Sequence, residues 1–137
     1  MIRYLFFIFI VFCFTECDTP DRKLLISNLS KDTIYYRLLY DTLVKEENVK
    51  YLQDVYYMKI SANDSFRPAF VRRGDNWEYM INHESKDSSL NVFYFNADTV
   101  RKYDWKNIIQ FRKYQRFSYK VKDLDSLHWS ITYYGIK

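Results

Sequence analysis

The chain has 137 residues and a formal charge of +4, from 21 basic and 17 acidic residues that are mixed along the sequence. A nucleic-acid surface needs clustered lysine and arginine, so this pattern argues against a nucleic-acid partner. Aromatic residues make up 20% of the chain while glycine and proline occur only twice each, which favours a β-rich fold whose turns are made by Asn, Asp and Ser.

The N-terminal segment has the three parts of a secretory signal peptide: Arg3, an apolar run over residues 4–14, and a polar border that contains Cys17. The run would span only about half of a hydrocarbon core of about 30 Å, which argues against a transmembrane helix. The position of Cys17 resembles that of the lipidated cysteine in bacterial lipoproteins, although Phe14 and Glu16 depart from the small residues usual before it. We therefore predict lipidation at Cys17.

This prediction divides the chain into a signal peptide (1–16), a tether (17–22) and a single β-rich domain (23–137). Cys13 would leave with the peptide, so the mature chain would have no disulfide and no cysteine-based metal site. We expect a protein of the bacterial cell envelope that is attached to the outer membrane by its lipid. A soluble secreted or periplasmic protein is the alternative.

Seven apolar runs of strand length lie between clusters of Asn, Asp and Ser. They cover residues 23–27, 33–40, 55–61, 65–73, 89–97, 114–121 and 129–134. The first two are expected to form a hairpin across Asn28 to Asp32. Pro68 cannot donate a ladder hydrogen bond and predicts an edge strand or an irregular segment. The run over 89–97 is apolar on both faces, which predicts a central strand covered on both sides.

Helical spacing replaces the strand pattern after Asp104, a good N-cap. The apolar residues at that spacing are Trp105, Ile108, Ile109 and Phe111. Residues 46–54 could form a loop or a helical turn, and residues 122–128 a turn or a short helix. Together the elements predict a mainly β fold, an antiparallel β-sandwich with one or two short helices, of which an immunoglobulin-like arrangement is one version. An α+β fold is the alternative.

Two stretches carry a resemblance to a known family: INHESKDSSLNVFYFNADTVRKYDWKNII, over residues 81–109, and DLDSLHWSITY, over residues 123–133. They resemble a family of small uncharacterised lipoproteins from Bacteroides-type bacteria. The shared pattern is an apolar strand ending in an aromatic residue and Asp-Thr-Val, a helix that contains Trp105, and a final strand with Trp129 and Tyr133. The resemblance implies a common fold and an envelope location, and it brings no known activity.

Catalytic and metal-ligating motifs are absent from the sequence. His83 and His128 lack the short spacings of a zinc site. A Ser-His-Asp set could be written from Ser126 or Ser130 with His128 and Asp125, but neighbouring side chains on a strand point to opposite faces, and no G-x-S-x-G motif accompanies them. We therefore expect no catalytic residue, no metal site and no cofactor.

Aromatic side chains are the best candidates for binding. Trp105 and Trp129 lie at periodic positions and are expected in the core, whereas Trp77 lies in a less regular stretch and is expected at the surface near Tyr79. Our first hypothesis is a non-enzymatic accessory module that binds another protein of the envelope. The alternative is a glycan-binding module that uses Trp77, Tyr79 and nearby tyrosines, because exposed rings supply rigid contact area.

Overall fold

Short strands and short helices alternate along the chain in the computed structural model, which describes residues 20–50, 52, 58–70 and 76–135. The strands are β1 (Leu25–Asn28), β2 (Ile34–Leu39), β3 (Lys59–Ile60), β4 (Asp64–Phe66), β5 (Leu90–Asn96), β6 (Gln115–Tyr119) and β7 (Ser130–Tyr133). The helices are α1 (Glu46–Val49), α2 (Trp77–Glu84), α3 (Ala97–Lys102), α4 (Trp105–Gln110) and α5 (Val121–Ser126). The fold is therefore mixed, with more helices than the one or two expected.

The strands form two sheets. One has four strands in the order β3-β2-β5-β6, and all of its neighbours are antiparallel. The other has three strands in the order β4-β1-β7, in which β1 is antiparallel to β4 and parallel to β7. The expectation of an antiparallel fold is thus confirmed for most strand pairs and is wrong for β1 and β7.

The central strand β5 is covered on both faces, as its sequence predicted. Leu90, Val92 and Tyr94 belong to a first core cluster, which also contains Ile26 of β1 and Ile131 of β7. Phe93 and Phe95 point the other way. They belong to a second core cluster, with Val49, Val100 and Ile108 from helices α1, α3 and α4. We call these clusters the first core and the second core. The first contains residues of both sheets and of helices α2 and α5, and the second contains residues of the four-stranded sheet and of helices α1, α3 and α4.

The expected hairpin between the first two strands is wrong. β1 pairs with β4 and β7, whereas β2 pairs with β3 and β5, so the two strands lie in different sheets. The physical cause is the buried side chain of Asn28. Its Nδ2 donates to the backbone carbonyls of Ile60 (3.1 Å) and Ser61 (3.0 Å), which ties the end of β1 to the segment after β3. The chain therefore crosses from one sheet to the other instead of folding back.

Other local predictions are confirmed. Asp104 caps α4, since its Oδ1 accepts a hydrogen bond from the backbone N–H of Asn107 at 2.7 Å. β4 is an edge strand that ends before Pro68. A helix forms at Val121–Ser126, and residues 46–54 begin with the helical turn α1. Parts of the strands predicted over 55–61 and 65–73 lie outside the described residues.

Candidate functional site

The first predicted binding residue, Trp77, is buried, and the expectation that it is exposed is wrong. Only 4% of Trp77 is exposed, because it is the first residue of α2 and its ring packs against Phe70 with centroids 5.3 Å apart. Asn76 starts this helix by accepting a hydrogen bond from the backbone N–H of Tyr79 at 2.8 Å. Trp77 thus belongs to the first core and cannot offer an open ring face to a glycan.

Tyr79 lies on the same helix as Trp77 but is 45% exposed. Its ring stacks on His83, with centroids 4.2 Å apart, and Nδ1 of His83 donates to the backbone carbonyl of Tyr79 at 2.9 Å. Residues two apart on a helix point in different directions, so the two aromatic side chains are not brought together. The platform predicted from Trp77 and Tyr79 is therefore not formed.

The groups considered for catalysis have other partners or stand apart. Oδ1 of Asp125 accepts a hydrogen bond from the indole N–H of Trp129 at 2.8 Å, and the hydroxyl of Ser126 donates to the carbonyl of Lys122 at 2.8 Å. His128 is exposed in the turn after α5. Across the described ranges, no three Asp, Glu, His or Cys side chains cluster as a metal site would require. Cys17, the predicted lipidation site, lies outside the described residues.

A cavity of about 480 Å³ opens beside the second half of β2. Within the described part of the chain, β3 pairs with Ile34 and Tyr35 of β2, and the cavity lies beside the residues of β2 that follow. Its described lining comprises Arg22, Tyr36, Arg37, Leu38, Met58, Phe66, Arg67, Pro68, Ala69 and Trp77. This volume lies within the usual range for small-ligand pockets, about 300–1,000 Å³. We call it the arginine-lined cavity.

Three guanidinium groups give the cavity its charge. They belong to Arg22, Arg37 and Arg67, and no acidic side chain is among the described residues of the lining. None of the three forms an ion pair within the described part of the chain. Nη1 of Arg67 donates to the carbonyls of Arg22 and Lys23, each at 3.3 Å, which attaches the segment before β1 to this wall. Within the described lining, no carboxylate offsets the positive charge of these arginines.

Two buried donors in this lining have no acceptor. Nε of Arg37 and Nε1 of Trp77 are buried, and neither finds a hydrogen-bond partner in the described structure. Nη1 of Arg37 meets only the sulfur of Met58, at 3.5 Å, and a thioether is a weak acceptor. Most buried donors in proteins have an acceptor, so these two are exceptions among the described residues.

The position of Trp77 is fixed by contacts with the segment before β1. Its backbone N–H donates to Oδ2 of Asp21 at 3.1 Å. Asp21 in turn forms a two-way backbone bridge with Phe70, with both hydrogen bonds at 2.9 Å. Lys23 forms an ion pair with Glu78 of α2. These contacts hold the wall of the cavity in place before any ligand arrives.

The described lining of the cavity offers groups that can bind a ligand. The described lining supplies positive charge, two unpaired donors and apolar walls, and it contains no carboxylate, histidine, serine or cysteine. General acid-base or nucleophilic chemistry needs such groups within hydrogen-bond reach of the reacting atoms. A group with acceptor atoms and negative charge is what this cavity can hold.

Sequence reasoning missed the cavity because its residues are scattered from Arg22 to Trp77. One local signal was present. Arg37 stands in the middle of TIYYRLLY, a run that is otherwise apolar between its first and last residues. A charged residue at such a position, on a strand with buried neighbours, marks a place where the charge needs a partner.

Comparison with protein-family models, curated proteins and solved structures finds no match to this chain. None of the helices within the described residues is long and apolar enough to cross a membrane.

Proposed function

We propose that the chain is a non-enzymatic binding module of the cell envelope, anchored by a lipid on Cys17, and that the arginine-lined cavity receives a group from a partner protein. The observation that carries this proposal is the pair of buried donors without acceptors in an apolar, positively charged cavity. The proposal includes a β-sandwich architecture, in which the first core is the layer between the two sheets.

The composition of the cavity favours a protein partner. Arg is among the residue types that most often dominate the energy of protein interfaces, and three arginines line this cavity. Arg22, Arg67 and Ala69 are exposed, so a partner can reach the opening. A glycan-binding function has less support, because Trp77 presents no open ring face.

Lipidation would place the cavity close to the membrane. Cys17 precedes Asp21 by four residue steps, which reach at most about 14 Å when fully extended. Asp21 is fixed to Phe70, and Arg22 lines the cavity. A multiply acylated cysteine anchors stably, whereas one acyl chain holds a protein only marginally. The partner is therefore expected within the envelope.

The anchor is tested by metabolic labelling with palmitate. We expect the label in the wild-type chain and in Cys13→Ala, and no label in Cys17→Ala, because Cys13 leaves with the signal peptide. Cys13→Ala is the matched control for loss of a cysteine. Labelling that persists in Cys17→Ala would refute the anchor.

The binding function is tested by photo-crosslinking in native cells. A photoreactive benzoylphenylalanine replaces Ala69, which is exposed and lines the cavity, and the adducts are identified by mass spectrometry. The matched control carries the same group at Lys106, which is exposed on α4 on the side of the second core. We expect a reproducible protein adduct from position 69 only. No adduct, or the same adduct from both positions, contradicts the proposal.

A further inference from the structure

We infer that the group bound in the arginine-lined cavity is a carboxylate carried on an apolar body, such as an aryl or alkyl group. This inference rests on the proposed function, since it names the chemistry that the partner or a free ligand must bring to the same cavity. A partner protein and a free ligand would both present the same group, a carboxylate attached to an apolar body. The carrier can be a peptide or a small molecule, and the experiment below separates the two.

The two buried donors require a ligand with acceptor atoms. Nε1 of Trp77 and Nε of Arg37 can only donate, and both belong to residues that line the cavity. Trp77 is 4% exposed, so bulk water does not compensate its indole N–H. Leaving such a buried donor unpaired lowers stability, because the group has lost its hydrogen bonds to water. A ligand oxygen that accepts from either group recovers this cost on binding.

The charge of the cavity requires an anion. Arg22, Arg37 and Arg67 contribute three positive charges, and no carboxylate of the described lining opposes them. The planar fork of a guanidinium group matches the two oxygens of a carboxylate and can bind both at once. Arg37 can turn Nη1 to the ligand at little cost, because its present acceptor is the weak sulfur of Met58.

The walls favour a carboxylate over a phosphate. Leu38, Met58, Phe66 and Pro68 supply apolar surface, which suits the hydrocarbon part of a ligand. A phosphate group brings more oxygens and about two charges into the same apolar surroundings, and each oxygen left without a donor adds a desolvation cost. A carboxylate with one negative charge can accept hydrogen bonds from the donors, and its apolar body can pack against the apolar walls.

The test follows the indole N–H of Trp77 by NMR, in full-length protein with ¹⁵N-labelled tryptophan in nanodiscs of zwitterionic lipid. The Trp77 resonance is the one lost in Trp77→Phe. We titrate 4-phenylbutyrate against its neutral amide, and acetyl-Ala-Phe with a free carboxyl group against its C-terminal amide. Phenyl phosphate is the third probe. We expect saturable shifts of the Trp77 resonance with an acid and at least about tenfold weaker binding of the matching amide.

Two arginine variants test whether the acid binds at Arg37. Arg37→Lys keeps the charge but lacks the fork, so we expect at least about tenfold weaker binding of the acid. Arg101→Lys changes an exposed arginine on α3, by the second core, and should leave binding unchanged. Unshifted resonances of the other two tryptophans show that each variant is folded. Preference for the peptide acid identifies a partner's C-terminus as the source, and preference for phenylbutyrate identifies a small acid.

Three results overturn the inference: amides that bind as well as the acids, phenyl phosphate that binds more tightly than phenylbutyrate, or no probe that shifts the Trp77 resonance. The last result means that water alone satisfies the donors. These failures differ from failure of the proposed function. If position 69 gives a protein adduct but the acids bind no better than the amides, only the inference about the ligand class is wrong. If the acids bind but position 69 gives no adduct, only the proposal of a protein partner is wrong.

Discussion

The phenol of Tyr94 is the clearest case of a buried group whose chemistry affects stability. Its ring packs against Tyr133 and Phe117 in the first core, with centroids 4.6 Å and 5.9 Å apart. Its hydroxyl is buried without a hydrogen-bond partner in the described structure. Burial raises the pKa of Tyr94 far above its usual range, and the nearby tyrosines Tyr119, Tyr133 and Tyr36 add to that effect.

These shifts predict loss of stability in alkali. Burial also raises the pKa of Tyr40 to about 12, with a further contribution from Glu84. Unfolded tyrosines lose their protons near pH 10. Above that pH the unfolded state binds fewer protons than the folded state, so the stability that is present below pH 10 is lost as the pH rises through the folded pKa values.

Tyr94→Phe tests both properties of the hydroxyl. Near pH 8 we expect the free energy of unfolding to stay the same or to rise by up to about 1 kcal/mol, because the substitution removes an unpaired buried group. Near pH 11 the variant should lose less stability than the wild type. Urea unfolding at the two pH values measures this, with Tyr134→Phe, at an exposed site, as the control for removal of a hydroxyl. A loss above about 1 kcal/mol near pH 8 would mean that Tyr94 has a partner.

At the scale of elements, the connection between β1 and β2 depends on Asn28. Besides its bonds to Ile60 and Ser61, Nδ2 donates to the carbonyl of Asp32 at 2.8 Å. Oδ1 accepts from the backbone N–H of Ser30 at 3.1 Å and from its hydroxyl at 2.7 Å. One buried side chain thus bonds both to the loop before β2 and to residues 60–61.

Asn28→Ala should lower the free energy of unfolding by about 3 kcal/mol, because it leaves several buried donors and acceptors unpaired at once. The measurement is urea unfolding near neutral pH. Asn82→Ala is the matched control: Asn82 is exposed on α2, and its replacement should change stability by no more than about 0.5 kcal/mol. If the two variants lose the same stability, the connection does not depend on the side chain of Asn28.

Local patterns predicted the elements better than their pairing. The strand β5, apolar on both faces, and the cap at Asp104 could be predicted because each depends only on residues close together in the sequence. The pairing of β1 with β7 could not be predicted, because it places Leu25 beside Ser130, which is far away in the sequence, and no local pattern indicates it. Helix α2 was missed although Asn76 is a good cap and Trp77, Met80 and Ile81 follow at helical spacing.

The candidate site was the least predictable part of the molecule. Trp77 was identified as a binding residue for the wrong reason, namely exposure, and it lines the cavity from a buried position. The arginines of the cavity are distant in sequence, and only the fold brings Arg22, Arg37 and Arg67 to one opening. From the sequence alone, an arginine of a binding cavity cannot be distinguished from an ordinary surface arginine.

At the scale of the whole molecule, the arginine-lined cavity is largely separate from the second core. Of the residues that form or pack against the second core, only Met58 is in the described lining of the arginine-lined cavity. None of the three arginines belongs to either core cluster. Substitutions at these arginines can therefore change binding while the packing of both cores is retained.

The parallel pair of β1 and β7 has a mechanical consequence. These strands are the first and last of the described chain, and hydrogen bonds of 2.8 Å from Leu25 N–H to the carbonyl of Trp129 and from Leu29 N–H to the carbonyl of Tyr133 flank the pair. A force that pulls the two ends of the domain apart would slide the strands along each other. Evenly spaced parallel bonds then carry the load together rather than breaking one after another. A domain held at its N-terminal side and pulled from its C-terminal side would resist in shear.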